Sequence, residues 1–267
     1  MMKLAFSTLG CPGWNWGEVL TAAADLGYDG IELRGLNREM YAPKMWIFED
    51  GKWAKTLQSL LRSNLEIACL TSFCNLNKEP LTEARDYVDL ASRVGVPYVR
   101  ILCGKYAQPG LEDIDEERVV AALQELADYI GNRPVTALVE TSGYCADTNN
   151  LARILQKTDR PQIAALWDMH HPLRFMHEVP ETTVQNLGSN IRHVHLKDSI
   201  VEDGKVRYRM ILDGDLPIES VVEELKKNHY DGYLSLEWLK RWEPDLEEPG
   251  VVFAHYVNHM RDLLGGR

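Results

Sequence analysis

Residues 26–33 read Leu-Gly-Tyr-Asp-Gly-Ile-Glu-Leu, and the order of their residue types is the pattern that decides the fold. Gly27 follows an amphipathic run, as glycine does where a helix ends, and a short run typical of a strand begins three residues later. The same order recurs at Val94-Gly95-Val96-Pro97 and at His229-Tyr230-Asp231-Gly232. Helices that lead repeatedly into strands indicate a parallel sheet with its helices packed outside.

Strand and helix patterns alternate in both directions from these three sites. The predicted strands cover residues 3–8, 30–33, 66–71, 98–102, 136–140, 162–168, 191–196 and 232–237. The predicted helices lie near residues 17–26, 51–63, 82–94, 115–130, 148–156, 179–187, 218–228 and 250–264. Eight strand–helix units, with no Ser- or Pro-rich linker and no block of charge, predict an α/β protein with a single (β/α)8 TIM-barrel domain over residues 1–267.

A doubly wound open sheet is the alternative fold for alternating strands and helices. Its nucleotide-binding members carry Gly-x-Gly-x-x-Gly in the first strand-to-helix turn, and this chain has Leu9-Gly10-Cys11-Pro12-Gly13 there instead. The phosphate-binding pattern Gly-x-x-x-x-Gly-Lys-Ser/Thr is also absent from the sequence. The sequence therefore favours the barrel and gives little support to nucleotide binding.

The composition is that of a folded globular protein, with 45% hydrophobic and 26% charged residues. A net charge of −11 disfavours nucleic acids and anionic membranes as partners, because those surfaces are themselves negative. No run of about 18 apolar residues occurs, and the N-terminal apolar segment is too short for a secretion signal. We therefore expect a cytoplasmic protein that acts on a small molecule.

The cysteines are odd in number and scattered, and none forms a Cys-x-x-Cys pair. This pattern favours neither a disulfide framework nor a zinc knuckle. We expect reduced core residues at Cys11, Cys69, Cys74, Cys103 and Cys145.

Acidic residues and a histidine stand at the ends of four consecutive predicted strands. These residues are Glu140, Asp168, His195 and Glu237. Active sites of TIM barrels form at the carboxyl ends of the strands, so these side chains are the first candidates for chemistry.

Strand alternation predicts which of these side chains point into the barrel. Val194 and Leu196 share the apolar face of one strand, so His195 points to the opposite face. In the last strand Leu234 and Leu236 form the apolar face, so Glu237 also points to the opposite face. Thr136, Leu138 and Glu140 share a face in the same way.

Buried carboxylates are costly to ionise without a cation, whereas three carboxylates and an imidazole suit one divalent ion. Oxygen-rich ligation favours Mn²⁺, with Mg²⁺, Co²⁺ and Zn²⁺ as alternatives. The competing interpretation treats each residue as a solvent-facing strand end, a helix cap or a packed histidine. Four such residues in phase on successive strands favour the metal site.

Three further histidines lie near the predicted site. His193 sits one layer deeper in its strand than His195, where it either packs or supports a ligand. His170 and His171 directly follow Asp168, and we expect one of them to enter the pocket.

The residues around the four candidates resemble known metal-site motifs. They read Val-Glu-Thr at Glu140, Trp-Asp-Met-His-His-Pro at Asp168, His-Val-His-Leu-Lys-Asp at His195 and Ser-Leu-Glu-Trp at Glu237. Together with Gly-Tyr-Asp-Gly-Ile-Glu-Leu-Arg at 27–34, they resemble the xylose-isomerase-like TIM-barrel superfamily. That group includes sugar phosphate isomerases and epimerases, ketose 3-epimerases, inosose dehydratases, hydroxypyruvate isomerases and apurinic-site endonucleases.

The resemblance implies a role for each matched residue. Glu140, Asp168, His195 and Glu237 would bind one divalent metal, and Glu140 and Glu237 would also be catalytic. His171 and Lys197 would be catalytic and contact the substrate. Glu32, Arg34, Arg209 and Trp14 would line the substrate pocket, with Arg209 reaching back from beyond a loop at 199–207. Barrels of this superfamily often form homo-oligomers, and nothing in the sequence selects an oligomeric state.

One position departs from the pattern of the ketose 3-epimerases. That branch carries a second glutamate six residues after the first metal glutamate, and Ala146 occupies the position here. The resemblance therefore does not select that branch.

The function that this resemblance implies is a metal-dependent isomerase or epimerase of a sugar or sugar phosphate. A proton next to a carbonyl would be removed to give an enediolate, with Glu140 and Glu237 acting on opposite faces. The close alternative is an inosose or keto-polyol dehydratase, a lyase in which His171 or Lys197 assists loss of a hydroxyl group.

Two hypotheses of other classes remain. An apurinic-site endonuclease would need about three zinc ions and further histidines, but strand three ends in Thr71-Ser72-Phe73-Cys74 and residues 212–215 read Leu-Asp-Gly-Asp. A non-catalytic sugar-binding barrel would not need the complete ligand set. Trp14 and its neighbouring tryptophans are more typical of loop packing than of sugar stacking.

Overall fold

The computed structural model describes residues 2–265, and the remaining residues 1, 266 and 267 of the predicted domain lie outside it. Within the described part, eight strands close a parallel barrel in the order β1, β10, β7, β6, β5, β4, β3, β2. The barrel strands are β1 Lys3–Ser7, β2 Gly30–Leu33, β3 Glu66–Asn75, β4 Tyr98–Leu102, β5 Thr136–Glu140, β6 Ile163–Asp168, β7 Ile191–Leu196 and β10 Tyr233–Leu236. The predicted TIM barrel is confirmed.

Helices follow the barrel strands and cover the outside of the barrel. They are α1 Trp16–Leu26, α2 Trp53–Arg62, α3 Thr82–Val94, α4 Glu116–Ile130, α5 Thr148–Thr158, α6 His170–Met176, α7 Pro180–Leu187, α8 Ile218–Lys227 and α9 Pro249–Leu264. None of these helices, within residues 2–265, is long and apolar enough to span a membrane.

The glycines that marked helix ends in the sequence act as expected. Gly27 ends α1 and Gly95 ends α3, both with φ of 76°, in the left-handed region that L side chains rarely adopt. At the third site His229 takes the positive φ after α8 instead of a glycine. Each turn places the next strand beside its neighbour in the barrel.

The barrel interior changes from apolar to polar along its axis. Ala5, Ala68 and Tyr233 form one small interior cluster, and Leu138 packs with Ala164 and Leu166 in another. Val194 and Leu234 face outward and are buried in the large core beneath the helices. The polar side chains therefore collect at the carboxyl ends of the strands, above these apolar layers.

The predicted loop at 199–207 is wrong, because these residues belong to a hairpin. Strand β8 Asp198–Glu202 pairs antiparallel with β9 Lys205–Arg209. The connecting Asp203 and Gly204 both have positive φ, the backbone of a tight two-residue hairpin turn. An Asp-Gly pair between two β-branched runs was the sequence signal for this hairpin.

Two other elements differ from the predicted ones. Strand β3 continues to Asn75 instead of ending at Thr71, with a register shift against β4 in between. The short helix α6 begins at His170, directly after β6. Both changes concern the carboxyl ends of strands, where the candidate site lies.

Candidate metal centre

Three of the four predicted metal ligands converge at the carboxyl end of the barrel. Strand β7 is paired so that His195 lies beside Asp168 of β6, and Glu140 ends the next strand, β5. Ligand atoms of these three side chains lie within 4.8 Å of one another. Glu237 follows β10 on the other side of β7, and its Oε1 lies 3.8 Å from Nδ1 of His195. All four side chains are buried.

Two of the buried atoms that face one another at this point lack hydrogen-bond partners. Among the described residues, none donates to or accepts from Oε1 of Glu140 or Nδ1 of His195, whereas Oδ2 of Asp168, which faces them, is paired with Nζ of Lys197. Nδ1 of His195 lies 3.3 Å from the first of these oxygens and 3.8 Å from the second. Buried polar atoms are nearly always partnered, so an unpartnered carboxylate oxygen and an unpartnered imidazole nitrogen that face each other beside a second carboxylate suit a bound cation. Two carboxylates and an imidazole are ligands that suit divalent metals.

Glu32 determines which nitrogen of His195 faces this group. Nε2 of His195 lies 2.9 Å from Oε2 of Glu32, and Nε2 of His193 lies 2.8 Å from the same oxygen. Thr71 Oγ1 donates to Oε1 of Glu32 at 2.7 Å. An ionised carboxylate only accepts, so Nε2 of His195 carries a proton, and Nδ1 would present its lone pair to a bound metal ion.

Burial opposes ionisation of Glu32, but the two histidines outweigh it and hold the pKa of Glu32 well below its ordinary value. Conversely, burial disfavours the charged form of His195, yet the carboxylates of Glu32 and Glu237 raise the pKa of His195 well above its ordinary value. The surrounding negative charge thus favours a cation at this position.

Glu140 is held from the opposite side by an arginine. Nη2 of Arg100 donates to Oε2 of Glu140 at 2.6 Å, and the hydroxyl group of Ser142 donates to the same oxygen at 2.8 Å. Burial opposes the charge, but Arg100 keeps the pKa of Glu140 far below its ordinary value. These contacts leave Oε1 of Glu140 free to face His195.

Lys197 joins the other two carboxylates. Its Nζ forms ion pairs with Oδ2 of Asp168 and, at 2.5 Å, with Oε2 of Glu237. Burial disfavours the ammonium form, but the two carboxylates raise the pKa of Lys197 above its ordinary value. Burial likewise opposes ionisation of Asp168, whose pKa is nevertheless lowered by Lys197 and His171.

The charges around this group are unequal. Of the four buried carboxylates, Glu140 is paired with Arg100, Asp168 and Glu237 share Lys197, and Glu32 contacts only histidines and Thr71. With His195 neutral, as a metal ligand must be, these carboxylates and cations leave two negative charges, which one divalent ion would neutralise. The residues present therefore fit a divalent metal.

The other residues predicted for the substrate pocket lie at different depths. His171 reaches the centre, with Nε2 3.4 Å from Oδ2 of Asp168. Arg34 lies one layer above Glu32 on the same face of β2 and its extension. Glu32 itself, predicted at the mouth, is completely buried beneath His195, because β2 carries its side chain into the barrel interior.

Two predicted pocket residues contact neighbouring protein groups and none of the four predicted metal ligands. Arg209 ends β9 and donates to the carbonyl group of Tyr208, and no ion pair links it to a described carboxylate. Trp14 packs edge-on against Phe253 of α9, with ring centroids 5.6 Å apart, as expected for loop packing. His170 bonds to Ser199 of the hairpin, so His171 is the histidine that enters the pocket.

Sequence reasoning missed Arg100, although a signal for it exists. A charged residue stands in the middle of Tyr98-Val99-Arg100-Ile101-Leu102, a short strand that is otherwise apolar or aromatic. A buried charge is costly unless it is paired, so this arginine indicated a carboxylate partner inside the barrel. Ser142 and Thr71 carry no comparable signal.

Comparison with known proteins agrees with the fold and with the resemblance seen in the sequence. A family model described as a xylose isomerase-like TIM barrel matches residues 20–262. Fructoselysine 3-epimerase of Shigella flexneri is 22% identical over 261 residues, covering 91% of each chain. Inosose dehydratase of Clostridium tetani is 29% identical over 105 residues, covering 34% of this chain and 35% of the relative. These relatives are enzymes, one an epimerase and one a dehydratase.

Solved structures share the architecture. The IOLI protein, whose structure contains a bound zinc atom, superposes with a TM-score of 0.79 at 18% identity, covering 99% of this chain and 98% of that one. Such low identity shows the fold alone. The match of the family model over most of the sequence shows more: this chain belongs to the xylose isomerase-like TIM barrel family.

Proposed function

We propose that this protein is a divalent-metal-dependent isomerase or epimerase of a small sugar or polyol ketone. The observation that supports it most directly is the convergence of the buried atoms Oε1 of Glu140, Oδ2 of Asp168 and Nδ1 of His195, the first and last of which have no hydrogen-bond partner among the described residues. Glu140, Asp168, His195 and Glu237 would hold the ion. The epimerase and dehydratase activities of the relatives support chemistry next to a carbonyl group.

The protein's own side chains would move the protons. A divalent ion at this site supplies a Lewis acid that polarises a carbonyl group and acidifies the neighbouring C–H bond. Glu140 and Glu237 come from β5 and β10, which are separated in the barrel by β6 and β7. One carboxylate would remove a proton from one face of the substrate carbon, and the other would return a proton to the opposite face.

Neighbouring groups would keep both carboxylates aimed at the substrate. Arg100 holds one oxygen of Glu140, and Lys197 holds one oxygen of Glu237. In each case the second oxygen faces Nδ1 of His195. The low pKa of Glu140 keeps this residue ionised at neutral pH, as a base or a ligand requires.

Dehydration of a keto-polyol is the second candidate, and the contacts of His171 and Lys197 support it. Both side chains are buried, and both lie against Asp168. Either can deliver a proton to a departing hydroxyl group after a carboxylate has removed the proton beside the carbonyl. The buried Ala146, in place of the second glutamate of ketose 3-epimerases, also favours this candidate.

Metal content per chain tests the site without knowledge of the substrate. The protein is reconstituted with Mn²⁺, Mg²⁺, Co²⁺ or Zn²⁺, desalted and analysed beside Glu140→Gln and Asp168→Asn. Glu125→Gln, which changes an exposed carboxylate on α4, is the control. We expect about one ion per chain, Mn²⁺ preferred, lost in both site variants and kept in the control. No ion with any metal would show that the proposal is wrong, and about three zinc ions would favour a nuclease.

Proton exchange in D₂O then separates the two candidate reactions. Keto-sugars and inososes are incubated with the metal-loaded protein and followed by NMR. An isomerase or epimerase incorporates deuterium next to the carbonyl without losing a hydroxyl group. A dehydratase instead forms an unsaturated ketone, which absorbs in the ultraviolet.

A further inference from the structure

Arg34 brings a buried positive charge to the mouth of the barrel. It follows the last residue of β2, and its side chain is on the same face as Glu32, which supports His195 from below. Only 5% of Arg34 is exposed. The guanidinium group is therefore held close above the candidate metal centre, and water does little to screen it.

The guanidinium group of Arg34 has no carboxylate partner in residues 2–265. Its side chain makes one hydrogen bond with the described residues, from Nη1 to the carbonyl oxygen of Thr71 at 3.3 Å. Phe73 covers one face, with the guanidinium carbon 3.3 Å from the ring centroid. This arrangement leaves the edge formed by Nε and Nη2 without a protein acceptor. Such an edge presents two parallel N–H groups, the donor pair that binds a carboxylate or phosphate group.

A second arginine lies beside Arg34. Nη1 of Arg100 donates to the carbonyl oxygen of Ser72, the residue after the one that binds Arg34. Burial and the positive charge of Arg100 lower the pKa of Arg34 to about 9. Arg100 forms an ion pair with Glu140, whereas Arg34 forms no ion pair with a described carboxylate and interacts with Glu237 and Glu140 only at longer range. Of these two guanidinium groups, only that of Arg100 thus has a carboxylate in contact.

The charges at the mouth of the barrel do not balance. Four carboxylates are offset by Arg100, Lys197 and the proposed divalent ion, and this leaves the charge of Arg34 without a counter-charge. A buried cation without a partner is costly, and a ligand that supplies an anion removes that cost.

We propose that the substrate of this site carries an anionic group, a carboxylate or a phosphate, that pairs with the free edge of Arg34. This inference rests on the proposed function, because it concerns the substrate of that same metal site. Phe73 fixes the plane of the guanidinium group and Thr71 fixes one of its ends. The anionic group would sit at the mouth, and the reacting carbonyl group would lie deeper, between Glu140 and Glu237.

Three small ketones that share a hydroxymethyl ketone test the charge requirement. Dihydroxyacetone is neutral, dihydroxyacetone phosphate carries a phosphate and hydroxypyruvate carries a carboxylate. Their dissociation constants are measured by titration calorimetry on the Mn²⁺-loaded protein. A charged hydrogen-bond pair corresponds to roughly a tenfold to hundredfold gain in affinity. We expect one of the two anions to bind at least tenfold more tightly than dihydroxyacetone, and the preferred anion distinguishes phosphate from carboxylate.

Variants of Arg34 separate its contribution from direct binding of an anion to the metal. Arg34→Met is expected to reduce the preference for the anion to about twofold, while Arg34→Lys keeps part of it. Arg192→Met, near the amino end of β7, is the matched control and should keep the full preference. Equal binding of all three ketones to the wild-type protein overturns the inference, as does an undiminished preference in Arg34→Met. If Arg34→Met does not fold, the wild-type comparison and Arg34→Lys decide.

Failure of this inference can be told apart from failure of the proposed function. The same protein samples are analysed for metal content and for deuterium uptake from D₂O. One ion per chain with proton exchange, but without any preference for an anion, overturns only the assignment to Arg34. Absence of both metal and exchange overturns the proposed function, whichever ketone binds.

Discussion

The two sides of the barrel contribute different residues to the candidate site. The side formed by β5, β6, β7 and β10 carries the four predicted metal ligands at its strand ends. The side formed by β2, β3 and β4 supplies groups that hold those ligands: Glu32 binds His195, and Arg100 binds Glu140. The first side thus provides the proposed ligands, and the second holds two of them, His195 and Glu140, so substitutions on the two sides should affect different measurements.

Removal of a proposed catalytic carboxylate should have the largest effect. Glu237→Gln keeps the size of the side chain but cannot take up a proton, and general acid–base groups contribute about 10²–10⁴-fold to rates. We expect kcat to fall by that factor in a deuterium-exchange assay on metal-saturated protein. Glu248→Gln, which changes an exposed carboxylate that pairs with Lys240, is the control. Near-normal exchange in Glu237→Gln would remove this residue from the mechanism.

Loss of the cation on the supporting side should lower stability instead. Arg100→Met leaves the carboxylate of Glu140 buried without its partner, and breaking a buried ion pair in this way costs about 3–5 kcal/mol. Urea unfolding of the metal-free protein measures the loss of unfolding free energy. Added metal should make this loss smaller, because the metal supplies another cation. Arg85→Met breaks an exposed pair with Glu125 and should cost under about 1 kcal/mol. Equal losses of unfolding free energy in the two variants would mean that the buried Arg100–Glu140 pair contributes no more than the exposed pair.

A smaller effect, on metal affinity, is expected from a residue that supports a ligand without binding the metal itself. Glu32→Gln keeps an acceptor for Nε2 of His195 but removes the negative charge that makes the imidazole a better ligand. Substitutions of such supporting carboxylates lower metal affinity by about 10–100-fold. Competition with a chelator measures the dissociation constant, and Glu66→Gln, at the amino end of β3, is the matched control. An unchanged constant in Glu32→Gln would mean that this side of the barrel does not tune the ligands.

The sequence predicted one side of the site much better than the other. The barrel and the four ligands follow from local patterns, since a polar residue at a strand end is visible within a few residues of the chain. The contact between Glu32 and His195 joins residues 163 positions apart, and it exists only because the barrel closes between β1 and β10. For the same reason Glu32 was predicted at the mouth and lies beneath the ligands. The β8–β9 hairpin was missed because Asp203-Gly204 was interpreted as part of a loop.

The smallest predicted effect on unfolding free energy comes from an ion-pair network on the outside of the barrel. This network also serves as a reference for the buried ion pairs. Glu116, in the first turn of α4, binds Arg153 and Lys157 of α5. These contacts, Arg153 foremost, lower the pKa of Glu116 from 4.5 to about 2. A carboxyl group with a lowered pKa in the folded state stabilises the protein above its unfolded pKa and loses that contribution as the pH falls from about 4.5 to about 2.

Glu116→Gln should therefore cost up to about 1 kcal/mol at pH 7, because the network is partly exposed to solvent and screened by it. The difference in unfolding free energy between the variant and the wild-type protein should shrink towards zero as the pH approaches 2, and 0.5 M salt should reduce it at pH 7. Urea titrations at several pH values measure both trends. The Arg100→Met loss should respond much less to salt, because water and ions do not reach the interior of the barrel. A Glu116→Gln loss as large and as insensitive to salt as that of Arg100→Met would contradict the distinction between the buried pairs that hold the ligands and the surface pairs that join neighbouring helices.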